Sequence, residues 1–95
     1  MKPLYLKIIE QGKESFIKVI RKGSHATVGI VVRSSGNLWA TQVKLYDLDK
    51  KEDKEDYAAL IEFSTESNPE AFDEAAGQLL SQFEQLLEKR PERDN

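Results

Sequence analysis

From Leu4 to Tyr46 apolar side chains return at every second position, and after Pro69 they return at every third and fourth. The first rhythm belongs to strands that turn one face toward a core, the second to a helix with an apolar stripe. LYLKIIE (4–10), SFIKVIRK (15–22), ATVGIVVR (26–33) and LWATQVKLY (38–46) read as four strands. The stretches QGKE, GSH and SSGN between them carry turn residues. YAALIEFS (57–64) reads as a fifth strand. Ser67-Asn68-Pro69-Glu70 then signals a helix start, with Ser67 and Glu70 as a capping box or Asn68 capping ahead of Pro69. Phe72, Ala76, Leu79, Leu80, Phe83, Leu86 and Leu87 follow at helical spacing until Arg90-Pro91 stops the helix. Gly77 in that stripe is expected to let the helix approach the sheet closely.

The expected fold is α+β: a four- to five-stranded antiparallel meander with one long C-terminal helix packed on one face. It should form one domain over residues 1–90, with 91–95 as a frayed tail. A single helix covers a single face. Following the alternation, the covered face should hold Leu4, Leu6, Ile8, Ile17, Val19, Val28, Ile30, Val32, Trp39, Val43, Leu45, Ile61 and Phe63. Trp39 would then pack under the helix against Phe72 or Phe83. The open face should carry Tyr5, Lys7, Ile9, Phe16, Lys18, Ile20, Lys22, Val31, Arg33, Leu38, Lys44 and Tyr46. An exposed mixture of rings, aliphatics and basic residues marks an interaction surface.

Charge divides the chain. Residues 1–46 hold eight basic residues against two acidic ones, a net +6, and residues 47–95 hold six against fifteen, a net −9. Such asymmetry points to a polyanion-binding face or an acidic tail. No uninterrupted apolar segment stands at the N-terminus or reaches the ~20 residues of a membrane span, so a soluble cytoplasmic protein with no membrane contact is expected. The chain has no cysteine, which removes disulfides, thiolate metal sites and cysteine nucleophiles.

The stretch KLYDLDKKEDKEDY (44–57) invites a calcium reading and fails it. A calcium-binding loop begun at Asp47 would put Lys51 among the ligands, Glu52 where glycine makes the turn, and Ala58 where a bidentate glutamate is needed. Asp47, Asp49, Glu52, Asp53, Glu55 and Asp56 are read instead as a solvated acidic loop. His25, the one histidine, follows Ser24 in a turn, and adjacency alone builds no nucleophile–base pair. Neither GxxxxGK nor GxGxxG spacing occurs. No enzyme, metal site or cofactor is expected.

Two functions remain. The first is a small adaptor- or inhibitor-type module that docks a protein partner through the open face or the acidic surface and self-associates. The second is binding of single-stranded DNA or RNA through Tyr5, Lys7, Phe16, Lys18, Lys22, Arg33, Lys44 and Tyr46, with rings stacking on bases and lysines tracking phosphates. The order of elements, a curved antiparallel sheet followed by one helix, resembles that of Whirly and Pur-alpha-type single-strand DNA binders. No motif of either is present. An isoelectric point of about 5.2 favours the protein partner.

Overall fold

The computed structural model describes residues 3–35, 38–68, 70, 72 and 74–89, and their side chains except those of Leu38 and residues 83–89. Its four leading strands are β1 (Leu4–Glu10), β2 (Lys13–Lys22), β3 (His25–Ser34) and β4 (Leu38–Asp47), joined as an antiparallel meander. Gly12 and Gly23 take φ of 71° and 60° in the first two connections, where a side chain would clash with its own backbone. Helix α1 (Lys51–Phe63) follows, then a two-residue strand β5 (Thr65–Glu66), then helix α2 (Glu74–Lys89). The sheet order is β4-β3-β2-β1-β5. Thus α1 carries the chain from one edge of the meander to the other, where β5 pairs antiparallel with β1.

The α+β class and the antiparallel sheet stand as expected. The single long C-terminal helix is not shown: the described residues form two helices, of thirteen and sixteen residues, one serving each face. Segment 57–64 is not a strand, and residues 51–56 are not a loop. Ala58 and Ala59 are strong helix formers, and Glu52 and Asp53 complement the positive end of the helix. Asp53, Tyr57, Leu60 and Ile61 fall at the three- and four-residue spacing of one helical face. That face is narrow and much of the rest of α1 is charged, so alternation through Tyr57, Ala59, Ile61 and Phe63 masks it. No residue of α1 is fully buried. A short glycine–serine turn in place of 47–56 would therefore delete nearly half of a structural helix.

The first core cluster lies on the α1 side. It comprises Leu6, Ile17, Val19, Ala26, Val28, Ile30 and Tyr46, with Tyr57, Leu60 and Ile61 of α1 packed against it. The second lies on the opposite side, where Phe16 and Val31 meet Phe72, Ala76 and Leu80. Leu4, Leu6, Ile8, Ile17, Val19, Val28, Ile30 and Val32 do share one face, but α1 covers it and α2 packs on the other.

Strand β4 is out of phase with the expected faces. Ser34 pairs with Leu38, leaving three residues between the strands, and every later pair joins residues of equal parity. A four-residue SSGN turn would have joined opposite parities. Because side chains alternate, that difference of one residue exchanges the two faces of β4. Trp39 pairs with Arg33, Val43 with Gly29 and Leu45 with Thr27, on the α2 side. Lys44 pairs with Val28 and Tyr46 with Ala26, on the α1 side.

Helix α2 starts at Glu74, later than the Ser67–Glu70 signal implies. Ser67 cannot cap it because its N–H still donates to the Tyr5 carbonyl at 2.8 Å, extending the β1–β5 ladder. Phe72, which lies between β5 and α2 in the chain, is buried. The close approach of helix to sheet is made by Gly29, not Gly77. A β-carbon on Gly29 would sit 3.5 Å from Leu80 Cδ2, whereas one on Gly77 would meet nothing within 4 Å. The expected stop at Arg90-Pro91 and the 91–95 tail lie outside the described residues.

Candidate interaction surface

Six of the eight expected open-face residues, Tyr5, Lys7, Phe16, Lys18, Lys22 and Arg33, share one side of the sheet through the β1–β2–β3 register. That side is not open at its centre. Phe16 is 1% exposed, sealed by Phe72 at 5.1 Å between ring centroids, and Tyr5 meets Phe72 edge-on at 5.6 Å. Lys44 is exposed on the opposite side. Tyr46 is buried there, its ring 5.8 Å from that of Tyr57. Two of the three expected stacking rings, Phe16 and Tyr46, therefore face the core. Trp39 packs against the Phe16–Phe72 cluster beneath α2, but on the side opposite Leu6 and Ile17, and Leu45, expected to share its covered face, is exposed.

Lys7 and Arg33, two of the expected basic residues, are already engaged. Glu14 accepts from Arg33, and Lys7 Nζ lies 3.4 Å from its other carboxylate oxygen. Register explains the grouping, since Glu14 is opposite Arg33 and Lys7 is opposite Phe16. The Arg33 bond holds the Glu14 carboxyl below the ordinary glutamate value against the opposing pull of desolvation, and Lys7 adds to the lowering. Arg33 also lies over the rings of Phe16 and Trp39, and Lys7 over Phe16. Lys18 lies over the Tyr5 ring, 5.5 Å from its centroid. Lys22 is exposed at the far end of β2, opposite His25.

The acidic residues divide between a turn and a helix. Asp47 closes β4, and its side chain accepts from the Asp49 N–H at 3.1 Å. Asp53 reaches back to accept the Asp47 N–H at 2.9 Å, tying the first turn of α1 to the end of β4. Glu52, Glu55 and Asp56 are exposed on α1. No group of three potential metal ligands converges among the described residues. His25 Nε2 stands 4.0 Å from Asp47 Oδ2 across the β3–β4 pair, a proximity invisible in the linear sequence.

Among the described residues three large apolar side chains remain in solvent: Ile9 at 70%, Leu45 at 63% and Phe63 at 79% exposure. Ile9 and Phe63 line one surface cleft of about 290 Å³ together with Lys7, Ile8, Thr65, Glu66 and Ser67. Ile9 also borders a second, shallower depression of about 430 Å³ bounded by Glu14, Arg33 and the β1–β2 turn. Reading 57–64 as a strand hid this site, because it placed Phe63 in the core. The α1–β5 junction brings Phe63 to β1: Ser64 has extended backbone, its N–H and hydroxyl both donate to the Ile61 carbonyl, and Thr65 pairs with Lys7. No helix among the described residues is long and apolar enough to cross a membrane. No protein-family model, no curated protein and no solved structure matches this chain.

Proposed function

We propose that this protein is a small non-catalytic interaction module that docks a protein partner at the Ile9–Phe63 cleft. The observation that carries this reading is the pair of solvent-exposed side chains flanking one cleft at the β1–β5 edge. Apolar anchors inside a polar rim are the usual anatomy of a docking site, and Lys7, Glu66 and Ser67 supply the rim. The partner would present an apolar side chain to the cleft. Single-strand nucleic-acid binding is the weaker reading, because Phe16 and Tyr46 are buried and Glu14 partly neutralises Lys7 and Arg33.

Quantitative affinity purification tests it with the native chain, an Ile9→Glu/Phe63→Glu variant and a Leu45→Glu control. At least one protein should be retained by the native chain and the control but lost, by about tenfold or more, from the double variant. Identical retained sets would refute the reading. Tight binding of a labelled single strand at low salt, weakening steeply as salt rises, would favour nucleic acid instead.

A further inference from the structure

The outer edge of β4 is the longest open hydrogen-bonding edge among the described strands, and its geometry specifies what pairs with it. Leu48 N–H donates to the Ser24 carbonyl at 2.7 Å, which fixes the phase of the β3–β4 ladder. Even-numbered residues of β4 then turn their backbone groups toward β3, and odd-numbered ones turn them outward. Asp47 is the last of the odd set and is already closed off. Its N–H is held by Asp53 at 2.9 Å and its carbonyl by the Lys50 N–H at 2.9 Å. Trp39, Thr41, Val43 and Leu45 remain, with no strand beyond them among the described residues.

These four residues are symmetric about Gln42. We infer that the β4 edge pairs antiparallel with the β4 edge of a second copy of this chain, on a two-fold axis passing through Gln42. In that register Trp39 lies opposite Leu45 of the other copy and Thr41 opposite Val43. Every outward N–H and carbonyl of the four finds a partner. Shifting the register by two residues brings the closed Asp47 into the ladder, or sets Trp39 opposite Val43 and leaves Leu45 unpaired.

Side chains agree with the register. Leu45, 63% exposed in the monomer, is covered by Trp39 of the second copy on the α2 side. On the α1 side Lys44 stands opposite Ala40, so the two copies of the strand's one lysine are not opposed. A long open edge is a liability that folds remove by charge, bulge, proline or cover, and β4 shows only Lys44 and the closing Asp47 against it. The result is a continuous ten-stranded sheet. If the Ile9–Phe63 reading also holds, it places the two clefts at opposite ends of one dimer. Dimerisation itself does not depend on that reading.

Three measurements on the full chain decide the matter. Sedimentation at about 10–500 µM should show reversible dimerisation of the 10.8 kDa chain in the micromolar range, since four paired residues a side make a small interface. Val43→Pro removes only an outward N–H, a change that edge strands tolerate, and should give a folded monomer. Gln42 on the axis would face its own copy as a non-hydrogen-bonded pair, with α-carbons about 4.5 Å apart. That spacing suits a disulfide, whereas two copies of Thr41 would stand more than ~7 Å apart. In this cysteine-free chain, Gln42→Cys should therefore crosslink at least about tenfold faster than Thr41→Cys. The cysteine pair keeps the test decisive if Val43→Pro does not fold. A monomer at every concentration overturns the inference and leaves the edge to a strand of another protein. A dimer in which Thr41→Cys crosslinks as fast as Gln42→Cys overturns it too, placing the contact elsewhere.

Discussion

Replacing Phe72 by alanine should be among the most damaging single changes in this protein, and replacing Phe63 the same way should be nearly silent. Phe72 is 9% exposed and fills the space between Tyr5 and Phe16, with ring planes at 83° and 64° to them. Burying a ring removes roughly 150–250 Å² from water, worth about 4–6 kcal/mol at ~25 cal/mol/Å². That figure is an upper bound because the unfolded chain already hides part of the surface. The side chains around Phe72 relax only partly into such a gap. A loss of about 3 kcal/mol follows, near the lower end for buried Phe→Ala changes. A domain of this size holds only ~5–14 kcal/mol in total. The melting temperature should therefore fall by about 12–24 °C. Urea titration followed by fluorescence of Trp39, the single tryptophan, reports the event from the same side of the sheet. Phe63 is 79% exposed, so its replacement should stay within ~0.5 kcal/mol. Equal losses at the two positions would mean that residues 57–64 form a core strand after all. A loss below ~1 kcal/mol at Phe72 would mean that α2 does not dock on the Phe16 side.

Two glycines should respond to alanine in the same direction for different reasons. Gly77→Ala meets open space in α2 and should gain up to about 1 kcal/mol by thermal melting. Gly29→Ala would place its methyl at ordinary contact distance from Leu80 and should gain about 0.4–1 kcal/mol, whereas Gly29→Leu would push α2 off the sheet and destabilise. The lowered Glu14 carboxyl sets an acid dependence: its contribution is complete above the unfolded value of about pH 4.3 and disappears as pH falls through the lower folded value. Comparing native and Glu14→Gln unfolding from pH 7 down to pH 2 should show two stability curves that converge toward the acid end, with a surface-sized difference above pH 5 of about 0.2–1 kcal/mol.

The local periods of the chain were sufficient for the four long strands, because alternation over seven to ten residues leaves few other ways to bury Leu6, Ile17, Val19 and Val28 together. Grouping Tyr5, Lys7, Phe16, Lys18 and Arg33 on one side followed from the same signal, since short hairpins fix register. The tertiary structure decided the rest. Helix α1 carries so many charges and so narrow an apolar stripe that only the sheet beneath Tyr57, Leu60 and Ile61 selects it over a strand. The phase of β4 turned on whether its connection has three residues or four, a difference no residue type announces, and Lys44 and Tyr46 changed sides with it. Neither helix is assigned to a face by its own sequence, because an apolar stripe is satisfied by any apolar surface of matching width. The chain settles that choice by geometry. It crosses beneath the sheet as α1 and returns over the edge through β5, so that α2 reaches the one face still uncovered.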